Sequence, residues 1–195
     1  LIALDSDGAR CGVPALLMTR LPGRVEVTPP DLDAWLRHLA ELLPRLHAVS
    51  PTGHPWKHAP YNNLSRLEVP AWSSQPKLWE QAIRIASAPL PAFQPTFIHR
   101  DYHPVNVLFE NGQISGLVDW PNACVGPAGV DVAHCRINLA SMYGLEATDR
   151  FLLYCQEAMS AYWEYNPTWD LISIMDFLPG PLYVYPPWLE LGLTH

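Results

Sequence analysis

The chain has 195 residues, of which 49% are hydrophobic and 16% charged; that supplies apolar material for a real core and excludes wholesale disorder. Its 12 Lys and Arg against 19 Asp and Glu give a net charge of −7, the wrong sign for a protein that grips nucleic-acid phosphates. Proline, at 21 residues, is about twice its ordinary share and predicts many irregular connections between helices.

Cys11, Cys124, Cys135 and Cys155 lie far apart with no C-x-x-C pair, so reduced thiols in a cytoplasmic protein fit better than a metal clip or a disulfide scaffold. No apolar run approaches the roughly 18 residues of a membrane span. Residues 1–7 lack the basic and long apolar regions of a signal peptide. The chain starts with Leu, and the expectation is that a segment precedes it.

In chain order, residues 12–20 read as a short buried strand after a turn at Asp7-Gly8, running into a connector at Leu21-Pro22-Gly23. Leu32, Trp35, Leu36, Leu39, Leu42, Leu43 and Leu46 recur at helical spacing over 31–48. Asp31 is placed to cap that helix, and Pro44 is expected to kink it or end its regular part. Residues 50–75 read as a long ordered loop, packed by His54, His58, Trp56, Trp72 and Trp79. A shorter helix follows around Leu78–Ala86, then a brief strand at Thr96–Ile98. Two apolar runs, Val105–Phe109 and Ile114–Val118, flank Asn111-Gly112, the strongest two-residue hairpin signal. Beyond residue 130 the pattern is helical over roughly 130–142, 147–165 and 168–178, and the proline-rich tail reads as irregular.

The chemistry concentrates in His99-Arg100-Asp101-Tyr102-His103-Pro104-Val105-Asn106 and in Leu117-Val118-Asp119-Trp120. A two-residue turn at Asn111-Gly112 sets Asn106 opposite Leu117. Asp119 then becomes the diagonal neighbour of Asn106 on the same face, about 7–8 Å away. An amide oxygen and a carboxylate form a hard-oxygen pair suited to Mg²⁺, which takes few protein ligands and fills the rest with phosphate and water. Asp101, held in a loop beside the pair, is where a hydroxyl nucleophile would find a proton acceptor during phosphoryl transfer. A second reading stays open: His99, Asp101 and His103 alternate, so they form a candidate Zn²⁺ cluster and a metal-dependent hydrolase site.

The run His99-x-Asp101-x-His103-Pro104-x-Asn106-Val107-Leu108, followed by Asp119-Trp120, resembles the catalytic set of the kinase-like fold, and is most similar to the aminoglycoside phosphotransferase and choline kinase superfamily. Gly126-Pro127 and Val130-Asp131-Val132-Ala133 are similar to a later stretch of that family. Val13 to Met18 with Leu21-Pro22-Gly23 resembles its last N-lobe strand and hinge, and Leu43 to Ala48 its first C-lobe helix. The implied fold is α+β and mainly helical. Residues 1–23 would be a remnant of N-lobe strands with the hinge, and 24–195 a helical C-lobe carrying the catalytic β-hairpin.

The resemblance implies an ATP- and Mg²⁺-dependent phosphotransferase acting on a hydroxyl of an aminoglycoside-, choline- or sugar-like small molecule, without nucleic-acid or membrane partners. Asp101 would be the catalytic base, and Asn106 and Asp119 the Mg²⁺ ligands. Met18, Thr19 and Leu21 would meet adenine at the hinge, while His99 and Asp131 would support the loop. Three departures stand out. Arg100 replaces the usual Gly, Pro121-Asn122 replace acidic residues after Asp-Trp, and no glycine-rich loop, strand Lys or helix Glu is present to clamp phosphates. Those departures motivate an alternative, a non-catalytic kinase-like binding module. Asp170, Asp176, Glu157 and Glu164 on the late helices read first as solvated faces and second as a surface for a cationic substrate.

Overall fold

In the computed structural model, residues 1–159, 163–181 and 183–193 are described. Two short strands, β1 (Ala3–Asp5) and β2 (Ala15–Leu17), pair antiparallel ahead of β3 (Arg24–Val25) and a 16-residue helix, α1 (Leu32–His47). A long connection with one 3₁₀ turn at Leu64–Arg66 leads to α2 (Pro76–Ala86) and β4 (Pro95–Ile98). The hairpin β5 (Val107–Glu110) and β6 (Gln113–Leu117) follows, then β7 (Cys124–Pro127). The chain closes with α3 (Ala128–Tyr143), α4 (Leu145–Ala158), α5 (Thr168–Met175) and a four-residue α6 (Pro186–Leu189). The mixed, mainly helical architecture agrees with the α+β expectation.

Three small sheets stitch the helices together: β1-β2, β3-β5-β6 and β4-β7, all antiparallel. β7 had no clear signal, because Gly126 and Pro127 are poor strand formers. Among the described residues it is the sole partner of β4, with Ile98 opposite Cys124.

Asp31 caps α1 by accepting from the Ala34 N–H at 3.0 Å, and the helix runs past Pro44 to His47 instead of ending there. One lost backbone bond is outweighed by the burial of Trp35, Leu36, Leu39, Leu43 and Leu46 along one stripe. That stripe packs on Tyr102, Val107, Phe109 and the inner residues of α3 and α4, among them Leu139 and Phe151. A second core joins α2 and β4 to α3 and α5 through Ile98, Val130, Ala133, Trp169 and Ile172. α3 therefore serves both cores. Its lack of a polar face, with ten of 16 residues buried, is what such a central position requires. Gly129 in its first turn is needed for contact, since a Cβ there would lie 2.8 Å from the indole nitrogen of Trp169.

The N-terminal strand is a correction. β2 is not buried; Leu16 is 55% and Leu17 57% exposed, because among the described residues its hydrogen-bonded partner is the three-residue β1 alone. The helix expected over 147–165 ends at Ala158, and 163–165 are not helical; residues 160–162 lie outside the described ones. α5 stops at Met175, and the tail contains α6, where prolines at the first helical positions are tolerated. Among the described residues, no helix is long and apolar enough to cross a membrane.

Candidate active site

The loop from His99 to Asn106 leaves β4 and is fastened from behind by α3. Asp131, fully buried in the first turn of α3, accepts the His99 N–H on Oδ2 at 3.0 Å and the Arg100 N–H on Oδ1 at 2.6 Å. His47, at the end of α1, donates Nε2–H to the same Oδ2 at 3.0 Å. Three donors on one carboxylate are what a buried charge needs to avoid a large desolvation penalty. They let the loop turn through Arg100, whose φ of 69° is a left-handed conformation that favours glycine. The Arg100 guanidinium lies 3.9 Å over the Tyr61 ring and donates to the Ala59 carbonyl.

Tyr102 plugs the loop into the first core. Its ring is fully buried and its hydroxyl donates to the Leu39 carbonyl at 2.7 Å. His99 faces away from Asp101: its Nε2–H donates to the Val118 carbonyl at 2.9 Å, and its ring meets Trp120 edge-on at 4.7 Å. This corrects the alternating cluster of His99, Asp101 and His103. Left-handed backbone at Arg100 breaks the strand alternation on which that reading depended.

The group that does join Asp101 is His134, one turn along α3 from Asp131. Its Nε2–H donates to Asp101 Oδ1 at 3.1 Å, and His103 Nε2 lies 3.6 Å from that same oxygen. Burial, the largest influence on the Asp101 carboxyl, pushes its pKa up. The hydrogen bond from His134 and the charges of His103, His134 and His99 outweigh it, and the net direction is down. His103 moves further: burial first, then His134, takes it to about 4 against the pull of Asp101. Neutral pH therefore finds His103 uncharged and Asp101 ionised beside the His134 N–H.

Asn106 is fixed by its amide nitrogen. Nδ2 donates to the Asp101 carbonyl at 2.9 Å and faces His103 Nε2 at 3.2 Å and Asp101 Oδ2 at 3.5 Å. Among the described residues no donor meets its Oδ1, so the amide presents an unengaged oxygen.

The hairpin register differs from the expected one. Next to the Asn111-Gly112 turn, Glu110 pairs with Gln113 and Phe109 with Ile114, as the two-residue turn requires. A bulge then leaves Ser115 unpaired, so Leu108 meets Gly116 and Val107 meets Leu117. Asn106 is thereby opposite Val118, whose N–H donates to its carbonyl at 2.9 Å, and not opposite Leu117. Asp119 follows with φ 68°, outside the regular alternation. The bulged Ser115 donates its hydroxyl to the Pro22 carbonyl at 2.8 Å, tying the hinge to the hairpin. Gly23, at φ 90°, fits there because a Cβ would come within 2.7 Å of the Phe109 carbonyl oxygen.

A cleft of about 840 Å³ opens between these parts. Met18, Thr19 and Leu21 of the segment after β2 line one side, and Leu108, Leu117 and Asp119 of the hairpin and its exit line the other. The expected hinge residues and one expected metal ligand thus share a single cavity.

A wall that the motif did not reveal stands beside Asp101. Asp176, just past α5, accepts the Tyr61 N–H at 2.8 Å, and burial pushes its carboxyl upward against those backbone bonds and the charges of Arg100 and His134. Phe177 stacks on His134, and Trp188 of α6 lies 4.9 Å from the His103 ring. Of the other late acids, Asp170 is held by Arg136 and the Tyr165 hydroxyl, Glu157 pairs with Arg37, and Glu164 lines a separate cleft of about 550 Å³. His54 packs on Phe97 and Trp72 on Trp79, while Trp56 is exposed.

Residues 1–170 match the model of the phosphotransferase enzyme family. Homoserine kinase of Pseudomonas aeruginosa is 33% identical over 141 residues, 63% of this chain and 41% of the relative. That of Gluconobacter oxydans is 34% identical over 138 residues, with 63% and 42% covered. The chain therefore spans about two fifths of the length of the curated relatives it matches. Among solved structures, an aminoglycoside-3'-phosphotransferase of type VIII superposes with a TM-score of 0.59 at 18% identity, over 80% of this chain and 66% of that one. An amicoumacin kinase in complex with AMP-PNP and Ca²⁺ gives 0.55 at 16% identity, over 78% and 52%. These two likenesses establish the kinase-like fold, and the family match carries the assignment. The chain belongs to the phosphotransferase enzyme family.

Proposed function

We propose that this chain is the helical lobe and hinge of a cytoplasmic, ATP- and Mg²⁺-dependent phosphotransferase that acts on a hydroxyl group of a small molecule. In this reading residues 1–23 are N-lobe strand and hinge, and the C-lobe begins at β3. The observation that carries it is the division of labour around Asn106. Its amide nitrogen is bound on the Asp101 side, which frees Oδ1 as a hard-oxygen donor while Asp101 stays ionised next to His134. Asn106 and Asp119 would hold the divalent cation, whose contribution is to neutralise charge on the phosphates. The amicoumacin kinase solved with AMP-PNP and Ca²⁺ supports a nucleotide and a divalent cation for this fold.

Asp101 does the proton work. Its carboxylate, flanked by His134 at Oδ1 and by the Asn106 amide at Oδ2, receives the proton of the acceptor hydroxyl as its oxygen bonds to the γ-phosphorus and the bond to ADP breaks. His99 and Asp131 keep the loop in place, one through the Val118 carbonyl and the other through two backbone N–H groups. Met18, Thr19 and Leu21 would take the adenine end of the cleft.

For the acceptor, the relatives' names (homoserine kinase, aminoglycoside and macrolide phosphotransferases) support a small molecule bearing a hydroxyl. Choline- and sugar-like alcohols belong to the same test panel. The test is a phosphotransfer screen with Mg²⁺-ATP over that panel, comparing the unaltered protein with Asp101→Asn. Loss of the base should lower turnover by roughly 10²–10⁴-fold while the unfolding midpoint stays put. Turnover within a few-fold of the unaltered protein would remove Asp101 from the mechanism.

A further inference from the structure

Asp101, His103 and His134 converge: one carboxylate oxygen and two imidazole nitrogens lie within 4.8 Å of one another. Their protonation can be read from the neighbours. The Asp101 carbonyl can only accept, so its 2.9 Å bond fixes Nδ2 as the inward-facing end of the Asn106 amide. That same Nδ2 faces His103 Nε2 at 3.2 Å, so Nε2 accepts and carries no proton. The proton of neutral His103 then sits on Nδ1, which is buried with no partner among the described residues. His103 Nε2 lies 3.6 Å from Asp101 Oδ1, with its lone pair engaged by the Asn106 amide. A cation held by both would take that lone pair from the Asn106 amide and draw on the carboxylate beside it.

The spacing suits one class of cation. Tetrahedral Zn²⁺ with ligands about 2.0–2.2 Å away sets neighbouring donor atoms about 3.3–3.6 Å apart. Here Asp101 Oδ1 lies 3.1 Å from His134 Nε2 and 3.6 Å from His103 Nε2. Two histidines and a carboxylate with an open fourth position are a zinc donor set, and imidazole disfavours Mg²⁺.

We infer that Asp101, His103 and His134 form a Zn²⁺ site that is distinct from the Asn106 and Asp119 pair, and that its occupancy and the use of Asp101 as a base exclude each other. On binding, His134 gives up its Nε2 proton to solvent or to its own Nδ1, and Asp101 Oδ1 exchanges that hydrogen bond for the metal. The Asn106 amide loses its weaker contact with His103 and keeps the Asp101 carbonyl. Only the exclusion rests on the phosphotransferase reading; the site itself does not.

Zinc is titrated into the protein without nucleotide, in excess Mg²⁺, by calorimetry and by metal analysis after gel filtration. One Zn²⁺ per chain is expected, and Co²⁺ in its place should give the intense visible bands of tetrahedral coordination. His134→Gln should weaken zinc by more than the roughly 10–100-fold that loss of a mere supporting contact brings, and His134→Cys should restore it. His38→Gln, on α1 away from the cluster, should change nothing. Melting curves establish that each variant is folded, and if His103→Gln is not, the His134 pair decides alone. No zinc retained, or zinc retained equally by His134→Gln, overturns the site. In the phosphotransfer screen, micromolar zinc should suppress turnover of the unaltered protein and suppress His134→Gln less, relative to its own zinc-free rate. Zinc bound with turnover unchanged overturns the exclusion, and an inactive protein that still binds zinc leaves the site standing while failing the phosphotransferase reading.

Discussion

The two walls of the cleft are held together by different physics. The hinge wall hangs from the β1-β2 hairpin, whose order comes from backbone pairing and from Asp5, which accepts the N–H groups of Arg10 and Cys11 at 2.9 and 2.8 Å. Leu4, Leu16, Leu17 and Met18 there are all exposed. The hairpin wall and the 99–106 loop are fastened by buried groups instead: His99, Tyr102, Asn106 and Asp131. An isolated two-stranded ribbon is marginal in water, whereas a loop bolted to two helices moves only if the core opens. The lesson is that the loop carrying Asp101 is set by the rigid wall, and the β1-β2 wall is the one free to adjust.

The sharpest way to break this contrast is Asp131→Ala. It strands the N–H groups of His99 and Arg100 and the His47 ring, all of which lean on one carboxylate. Removing one side of a buried charged network costs about 3–5 kcal/mol, so urea unfolding should show a loss of that order. A loss below about 1 kcal/mol would mean that water reaches these donors and the loop is not bolted from behind.

Much of this wall is legible in the chain, and the parts that are not share a cause. The Asn111-Gly112 turn and the helix over 31–48 follow from local chemistry, and each lies within a few residues of its expected place. The bulge at Ser115 was signalled by Gly116, since a lone glycine in a strand pattern marks such irregularities. Reading it would have shifted Asn106 from Leu117 to Val118. His134 follows Asp131 by three residues and so shares its helix face, a relation visible in sequence. That this face meets a loop 33 positions earlier is tertiary, as is the bond between His47 and Asp131 across 84 positions. Helical or strand periodicity says which side of an element is wet; it does not say which distant loop the dry side holds.

Tyr102→Phe sharpens the contrast with a smaller change. The ring stays in the core and only the bond to the Leu39 carbonyl goes, leaving that oxygen with one partner fewer in a buried setting. A drop of about 0.5–1.5 kcal/mol is expected in the same unfolding experiment. Because Tyr102 is next to Asp101, hydrogen exchange should also quicken at the amides of the 99–106 loop, with α4 unaffected. Uniform quickening across α1, α4 and the loop would instead make the tyrosine a general core residue with no special hold on the loop.

The hinge wall gives the smallest effect, and its smallness is the test. Leu16→Ser removes an apolar side chain that is more than half exposed, so stability should change by no more than about 0.5 kcal/mol. The amides of Ala15 to Leu17 should already exchange fast in the unaltered protein, since their ladder partner is only the three-residue β1. A loss above about 1.5 kcal/mol, close to that of burying a leucine fully, would mean the ribbon's apolar face is covered in solution. In that case both walls of the cleft would be rigid, and any adjustment between them would have to come from Gly23 and the connector alone.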